Sequence, residues 1–451
     1  MVLLLTICKV LIGNPLEFCL AVVSVKKQET RKLKRSIGLW SAVAINVGAI
    51  IGGGIFVVTG IVAGYAGSAL VLSMVFAGII AFITAWSFAK LTAWQPVEGG
   101  VYEYGRQLVS PYAGFLAGWM WLVANTFTGA AVSLGFAFYL TAAFPSLSTG
   151  IVAAVLCLAL TALNLVGARE STKVNNVLVA IKLAVLAFFV LFGSLHVNGG
   201  NFSPFVPLSS GVLYGTFFIF FAYGGFARVS VIAEEVKDAK RNVPRALLLS
   251  LGISMLVYVL VGLVAVGLLG SVGLAGSSSP LSAAIGVTRS SLAVQVVAVG
   301  GLVATASVLL TAILGVSRMA YSMARRNDLP SVLARLHSRF LTPYLAILVS
   351  GILMAILVLF LDLTHVVAIS TFALVFNYSI TNIAAYKLKN GNKLVNKVMP
   401  LLGLATCILL LAFILLASAD AWIVGVTFLI AGTVYYVARK KLMPKDEEMP
   451  T

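Results

Sequence analysis

The stretch that decides the fold is Gly48-Ala49-Ile50-Ile51-Gly52-Gly53-Gly54-Ile55-Phe56. It lies within a run free of charged residues, from Ile37 to Tyr65, that is long enough to cross a lipid bilayer. Each glycine costs about 1 kcal/mol relative to alanine inside a helix, so four glycines in seven residues weaken a continuous helix. Unwound backbone at membrane depth is tolerated only where it is buried in protein or lines a cavity. The stretch therefore predicts two half-helices that meet at a site, and a tightly packed continuous helix is the alternative.

The composition is typical of a protein that crosses the membrane many times. Of its 451 residues, 61% are hydrophobic and 10% are charged, whereas soluble domains carry about 25% charged residues. The four cysteines lie in apolar segments without paired spacing. We therefore expect no disulfide framework, no metal site and no cofactor.

Charge-poor spans of a length suited to membrane helices follow one another from residue 38 onward. We predict twelve, at about 38–62, 68–92, 112–142, 148–168, 174–195, 210–234, 245–270, 290–323, 342–361, 364–387, 398–418 and 420–438. Lysine and arginine cluster in the tails and in every second connection, while the other connections hold only Arg289. This asymmetry predicts a multi-pass protein of the plasma membrane with both termini in the cytoplasm. It also accounts for most of the net charge of +17, which argues against a nucleic-acid partner.

The sixth span is interrupted in the same way as the first. Its middle reads Phe221-Ala222-Tyr223-Gly224-Gly225-Phe226, with a glycine pair at mid-membrane. Spans one and six are five helices apart and run in opposite directions. This pattern indicates two inverted five-helix repeats with a binding site between the two broken helices. Glycines that only permit close packing of continuous helices are the alternative.

Domain boundaries follow from this pattern. We expect an N-terminal segment with a basic cytoplasmic tail at 1–36, a first repeat at 37–195, a second repeat at 209–388, two further spans at 397–438 and a cytoplasmic tail at 439–451. Residues 1–24 have two interpretations, an extra amphipathic or re-entrant segment or a mis-assigned translation start. The basic run that follows them favours the second.

A broken helix offers two sets of groups to a ligand. The second half begins with N–H groups that suit a carboxylate, and the first half ends in carbonyl groups that suit an ammonium. Together they match the backbone of an α-amino acid. We assign the N–H groups of Gly53 and Gly54 to the carboxylate, and the carbonyls of Ile50 and of residues 220–222 to the ammonium. The residues predicted here to bind substrate are Ile50, Gly52, Gly53, Gly54, Phe220, Phe221, Ala222, Tyr223 and Gly224.

Five motifs resemble the amino acid–polyamine–organocation (APC) superfamily of transporters. They are the two interrupted stretches at 48–56 and 220–226, and the motifs Pro-Val-Glu-Gly-Gly-Val-Tyr-Glu-Tyr at 96–104, Glu-Glu-Val-Lys-Asp-Ala-Lys-Arg-Asn-Val-Pro at 234–244 and Ser-Met-Ala-Arg-Arg-Asn-Asp-Leu-Pro at 322–330. The resemblance covers residues 33–440. It implies the LeuT-like fold, in which two inverted repeats of five helices are followed by two further helices, and alternating-access transport of amino acids. It also implies that Phe221 is a gate over the substrate and that Ser307 borders the site, facing the substrate or Lys182.

Lys182 is an ionisable side chain in the middle of the fifth span. Such groups at membrane depth are costly and usually functional. Burial disfavours the charged ammonium, whereas carbonyl groups at the first break would favour it, so Lys182 is a candidate proton carrier. The resemblance is to a lysine-containing, proton-coupled prokaryotic subgroup, in which this lysine stands where sodium-coupled relatives hold a sodium ion. A purely structural lysine, or one that stays charged in an exchanger, is the alternative.

Arg228 departs from the superfamily pattern, because Ala227 precedes it where many relatives have an aspartate. We expect Arg228 on the inner half of span six. Its two interpretations are a buried structural ion pair and a gating pair with an inner carboxylate such as Glu235. The loss of the aspartate and the gain of an arginine argue against cationic substrates.

The leading hypothesis is a secondary active transporter that imports amino acids with protons, and an amino acid exchanger is the alternative. Neutral amino acids are favoured, because no acidic side chain at mid-membrane would hold a cationic substrate and no further arginine would hold an anionic one. Glu98, Glu103 and Arg106 are expected in a solvated loop near the inner gate. An intramembrane enzyme is not expected, because the spans hold no metal-binding set, no paired aspartates and no Ser/Lys dyad.

Overall fold

The computed structural model describes residues 37–97, 99–166, 168–338, 340–388 and 394–442. These residues form helices and short connections, with no strand and one isolated bridge between Ile37 and Val236. In chain order the α-helices are α1 (Leu39–Ile50), α2 (Thr59–Ala66), α3 (Leu70–Trp94), α4 (Val101–Leu108), α5 (Pro111–Ala143), α6 (Thr149–Val166), α7 (Ala168–Ser194), α8 (Ser210–Tyr223), α9 (Arg228–Val231), α10 (Ala239–Ala275), α11 (Pro280–Gly286), α12 (Ser291–Arg325), α13 (Tyr344–Phe360), α14 (Leu363–Lys387), α15 (Val395–Ala417) and α16 (Ala419–Leu442). The predicted all-α architecture is confirmed for this part of the chain.

Ten stretches of the described residues are long and apolar enough to cross a membrane, and α13 is a shorter apolar helix. The first of the ten, Leu39–Trp94, contains α1, α2 and α3. Large apolar side chains such as Leu191 and Phe360 are exposed on outer helix faces, as expected for helices surrounded by lipid. The chain is therefore a polytopic membrane protein. The count of twelve spans and the inverted repeat stay predictions, and residues 1–36 and 443–451 lie outside the described residues.

Helix α5 packs along α12 and α14, and α3 packs along α10. Helix α1 contacts α7, α10, α12 and the segment that links α8 to α9. This packing gathers both glycine-interrupted stretches, together with the helix that carries Lys182, in one region of the bundle.

The two interrupted stretches differ in conformation. Helix α1 ends at Ile50 because Ile51 is extended, with φ −77° and ψ 107°. A π-helical turn, Gly54–Val58, then leads into α2. The second stretch stays helical, because a 3₁₀ turn over Gly224–Ala227 joins α8 to α9. The expected unwinding is thus present in the first stretch, whereas the second is only tightened.

The glycines bring the two stretches into backbone contact. A Cβ atom added to Gly225 would lie 2.1 Å from the carbonyl oxygen of Ala49, and one added to Gly54 would lie 2.2 Å from the Cβ of Ala222. Such approaches exclude any side chain at either position. Close packing and helix interruption, which the sequence left as alternatives, therefore occur together.

Candidate substrate and coupling site

A narrow cavity of about 10 Å³, roughly the space of one water molecule, lies between the two interruptions. Its walls come from the end of α1 and the turn after it, the α8–α9 segment, α5 and α12. The residues that line it are Ala49, Ile50, Gly53, Gly54, Asn125, Thr128, Val132, Phe221, Ala222, Gly224, Gly225, Arg228 and Val308. Both glycine-containing stretches therefore contribute residues to one cavity.

Together with Ser307, ten residues were predicted to bind or border the substrate, and six of them lie in this lining, namely Ile50, Gly53, Gly54, Phe221, Ala222 and Gly224. The other four, Gly52, Phe220, Tyr223 and Ser307, contact different partners. Gly52 packs against Val308, and the ring of Phe220 packs against Tyr378. The hydroxyl of Tyr223 donates to a main-chain carbonyl of α3 at 3.0 Å. Phe220 and Tyr223 are three residues apart and share one helix face, which explains why both turn away from the cavity together.

Tyr258 on α10 is a residue that the sequence reasoning missed. Its buried hydroxyl lies 2.7 Å from the carbonyl oxygen of Ile50 and 3.0 Å from that of Ala222. It thereby bridges the two interrupted helices. A hydroxyl has one proton and donates to one carbonyl at a time, so the other carbonyl keeps its full accepting capacity. The signal available in the sequence was a tyrosine inside an apolar span, whose hydroxyl needs a partner when buried.

Lys182 on α7 reaches the first interruption and is fully buried. Its Nζ donates to the carbonyl of Gly48 at 2.9 Å, to the carbonyl of Ile51 at 2.5 Å and to Ser307 Oγ at 3.1 Å. An ammonium has three donors, and all three are used. The two carbonyls belong to the C-terminal end of α1, where the helix dipole favours a cation. Of the two partners considered for Ser307, the structure pairs it with Lys182, away from the cavity lining.

A further polar group extends from Lys182. Ser307 Oγ donates in turn to Asn175 Oδ1 at 2.8 Å. Asn175 is buried and lies directly against Gly48, where an added Cβ would be 2.7 Å from Asn175 Nδ2. The chain Lys182–Ser307–Asn175 therefore links α7 and α12 to the end of α1. The sequence reasoning did not identify Asn175.

Arg228 begins α9, after the glycine pair of span six, and it lines the cavity. One terminal nitrogen donates to Asn125 Oδ1 at 2.6 Å, and the guanidinium carbon lies 5.7 Å from the centre of the Trp121 ring. The expected pairing with Glu235 is wrong, because that carboxylate lies 3.6 Å from Arg318. In a 3₁₀ turn, residues three apart share a face. Arg228 therefore lies on the same side of the segment as Gly225, which also lines the cavity.

Glu103 is buried and Arg106 is partly buried, which corrects the expectation of a solvated loop. Glu103 on α4 pairs with Arg326 at 3.0 Å. Arg106 pairs with Asp328, which also accepts from Tyr102 and from Arg439 of α16. Glu98 lies outside the described residues.

Tyr102 acts as a neutral donor in this cluster of charged groups. Burial raises the pKa of its hydroxyl, and the nearby charge of Asp328 raises it further. The hydroxyl therefore stays protonated and donates to Asp328 at 2.6 Å. Together these contacts fasten α4 to the end of α12 and to α16, away from the cavity.

A cavity lined by the unwound end of one membrane helix and by a second membrane helix tightened at its glycine pair is the arrangement expected of the binding site of a secondary transporter. The comparison with protein families agrees, because the amino acid permease family matches residues 37–438. The chain belongs to this family. It is a transporter and not an enzyme, in keeping with its relatives.

Three relatives illustrate the range of the family. An uncharacterized transporter of Mycobacterium tuberculosis is 36% identical over 412 residues, which cover 91% of this chain and 92% of the relative. The methylthioribose transporter of Bacillus subtilis is 29% identical over 441 residues, 91% of this chain and 94% of the relative. A branched-chain amino acid permease of Bacillus subtilis is 30% identical over 349 residues, 72% of this chain and 75% of the relative.

Proposed function

We propose that the protein imports amino acids across the plasma membrane by alternating access and couples their entry to protons through Lys182. The observation that carries this proposal is the contact of Lys182 with the unwound end of α1, next to a cavity that the same unwound segment lines. A proton on Lys182 and a substrate in the cavity then both contact the unwound segment at the end of α1. Membership in the amino acid permease family supports the substrate class.

The proposed substrate is a neutral α-amino acid held by its backbone. Its carboxylate binds at the N–H groups of Gly53 and Gly54, where the outer half-helix begins. Its ammonium binds the carbonyl of Ile50 or Ala222, whichever Tyr258 leaves free. Among the described residues the cavity lining holds no carboxylate that would attract a cationic side chain. Phe221, which lines the cavity from α8, is the proposed gate.

The donor count of Lys182 supports the proposed proton coupling. The ammonium form satisfies the carbonyls of Gly48 and Ile51 and the hydroxyl of Ser307 at once. A neutral amine has only two N–H donors, so loss of the proton releases one of these three contacts. Release loosens the end of α1, which is the segment that must move when the cavity opens to the other side. In the alternative, an exchanger, Lys182 stays charged and serves as a fixed cation.

The proposal includes the membrane arrangement predicted from the sequence. It comprises twelve spans, two inverted repeats of five helices followed by two more, and both termini in the cytoplasm. The distribution of lysine and arginine along the chain supports it.

Uptake by purified protein in proteoliposomes tests the function. Labelled alanine, leucine, glutamine, glutamate and lysine, together with methylthioribose, are offered with and without an inward proton gradient. We expect a neutral amino acid to accumulate only with the gradient. Uptake that requires amino acid inside the vesicles and ignores the gradient would establish the exchanger, and uptake of methylthioribose alone would overturn the substrate class.

The position of the substrate is tested by Gly53→Val. An added Cβ at Gly53 would lie 3.0 Å from Val132 Cγ1 across the cavity, so a valine fills the carboxylate position. We expect affinity to fall by at least about tenfold, as overpacking of a filled site predicts. Gly64→Val on α2 is the control, because a Cβ there makes only an ordinary contact with Ala275 at 3.6 Å. Equal affinity in the two variants would place the substrate elsewhere.

A further inference from the structure

Arg228 has an unused donor in the cavity wall. The side chain is 3% exposed and lines the cavity. One terminal nitrogen donates to Asn125, while the other, Nη1, is buried and has no hydrogen-bond partner among the described residues. A buried donor without a partner carries the full cost of its lost hydration. The position of this donor therefore calls for a ligand group.

The charge of Arg228 is also unmatched. Among the residues that the structure describes, no carboxylate forms an ion pair with it. Arg318 likewise has buried nitrogens without hydrogen bonds, but Glu235 lies 3.6 Å away and Arg318 is absent from the cavity lining. A guanidinium does not lose its proton in proteins. Arg228 thus faces the cavity as a permanent, partly unsatisfied cation.

The surroundings hold this guanidinium in place. Gly315 on α12 leaves room for it, since an added Cβ there would lie 2.8 Å from Arg228 Cδ and 2.8 Å from Cη2 of Trp121. The Asn125 side chain is oriented from both ends, because its Nδ2 donates to the carbonyl of Trp121 at 2.9 Å while its Oδ1 accepts from Arg228. The donor is therefore pre-positioned before any ligand arrives.

We propose that Arg228 and Asn125 form a subsite for the substrate side chain and select amino acids whose side chain ends in a carbonyl oxygen, as in a carboxamide or a carboxylate. Nη1 of Arg228 donates to that oxygen. A carboxamide fits both residues, because its N–H group can donate to the remaining lone pair of Asn125 Oδ1. The same donors repel a cationic side chain. This inference rests on the proposed function, since it assumes an amino acid in the cavity.

The test compares ligands of equal shape. Asparagine and leucine are nearly isosteric, and glutamine and methionine have similar length, so each pair isolates the terminal acceptor. Binding to the purified protein is followed through the ligand-dependent rise in its unfolding temperature, which yields apparent dissociation constants. We expect asparagine or glutamine to bind at least about tenfold more tightly than its apolar counterpart, as a charge-assisted hydrogen bond predicts. Lysine should not stabilise the protein.

Substitutions of Arg228 assign the preference to its guanidinium. Arg228→Met should reduce the preference to less than about twofold while leucine binding is retained, and Arg228→Lys should keep part of it. Arg245→Met, an exposed arginine on α10, is the control. If Arg228→Met is poorly folded, Gly315→Ala serves in its place, because it displaces the guanidinium without removing it. Gly252→Ala is its control, since a Cβ there meets nothing within 4 Å.

Aspartate binding more tightly than asparagine would identify the group as a carboxylate and support the subsite, while refuting the proposed neutral substrate. An unchanged ratio of asparagine to leucine affinity in Arg228→Met would overturn the subsite even where amino acid uptake is established. Leucine binding more tightly than asparagine in the unmodified protein would do the same. If no amino acid stabilises the protein, both this inference and the proposed function fail.

Discussion

Lys182 and Arg228 are two buried cations beside the same pair of interrupted helices, but their hydrogen bonding differs. Lys182 uses all three of its donors on protein groups, two of them backbone carbonyls of α1. Arg228 donates to one amide oxygen, and its Nη1 has no hydrogen-bond partner among the described residues. Only Arg228 is part of the cavity lining. Lys182, whose three donors are all used, thus lies outside the cavity lining. Arg228, whose Nη1 makes no hydrogen bond to the described residues, lies in it.

This difference separates two tasks. Loss of a proton from Lys182 removes a hydrogen bond that already exists, so the protonation of Lys182 affects the backbone of α1. Nη1 of Arg228 can still form a hydrogen bond, so Arg228 can distinguish a ligand that carries an acceptor from one that does not. We therefore expect substitutions around Lys182 to change coupling, and substitutions around Arg228 to change selectivity.

The largest effect is expected from Lys182→Met. Methionine keeps the apolar stem but removes every donor to Gly48, Ile51 and Ser307. Gradient-driven accumulation of amino acid should fall to the level of protein-free vesicles, while amino acid binding persists. Lys240→Met, an exposed lysine on α10, should accumulate substrate like the unmodified protein. Normal accumulation by Lys182→Met would remove the assigned role of the lysine.

Ser307→Ala removes a single acceptor from Lys182 and should have an intermediate effect. Hydrogen bonds to charged groups contribute about 1.5–3 kcal/mol, so the initial rate of gradient-driven uptake should fall by at least about tenfold. The ratio of asparagine to leucine affinity should not change. Ser317→Ala is the matched control, because that hydroxyl donates to the carbonyl of Leu314 on its own helix. A changed affinity ratio in Ser307→Ala would break the separation of tasks.

Tyr258→Phe should have the smallest effect. It removes the hydroxyl that joins Ile50 to Ala222 but leaves the contacts of both cations intact. We expect the free energy of unfolding to fall by about 1 kcal/mol and substrate affinity to change by no more than about threefold, since one neutral hydrogen bond is lost. Thermal unfolding and ligand titration measure both, with the exposed Tyr386→Phe as control. A loss of coupling in Tyr258→Phe would show that this bridge, and not Lys182, controls α1.

Much of this arrangement could be predicted from the sequence, because its signals are local. Glycine clustering located the interruption of α1, and apolar run lengths located the helices. A lone lysine in an apolar span marked Lys182 as a candidate. In each case the signal depends on neighbouring residues along the chain.

The errors concern properties that depend on contacts between distant segments. Arg228 was expected to have a carboxylate partner such as Glu235, but Glu235 lies beside Arg318, and Arg228 donates to Asn125 on α5. Glu103 was expected in a solvated loop, but its partner Arg326 comes from a distant part of the chain. Tyr258 and Asn175 were missed for the same reason, since nothing near them in the sequence indicates which carbonyl or hydroxyl they meet.

The most direct test of proton coupling is the pH inside proteoliposomes when amino acid is added outside and no gradient is imposed. A pH-sensitive dye is trapped in the vesicles, and the membrane potential is clamped to zero. The account predicts that a transported amino acid acidifies the interior with the unmodified protein and leaves it unchanged with Lys182→Met. Entry of labelled amino acid without acidification, or equal acidification by both proteins, would contradict it.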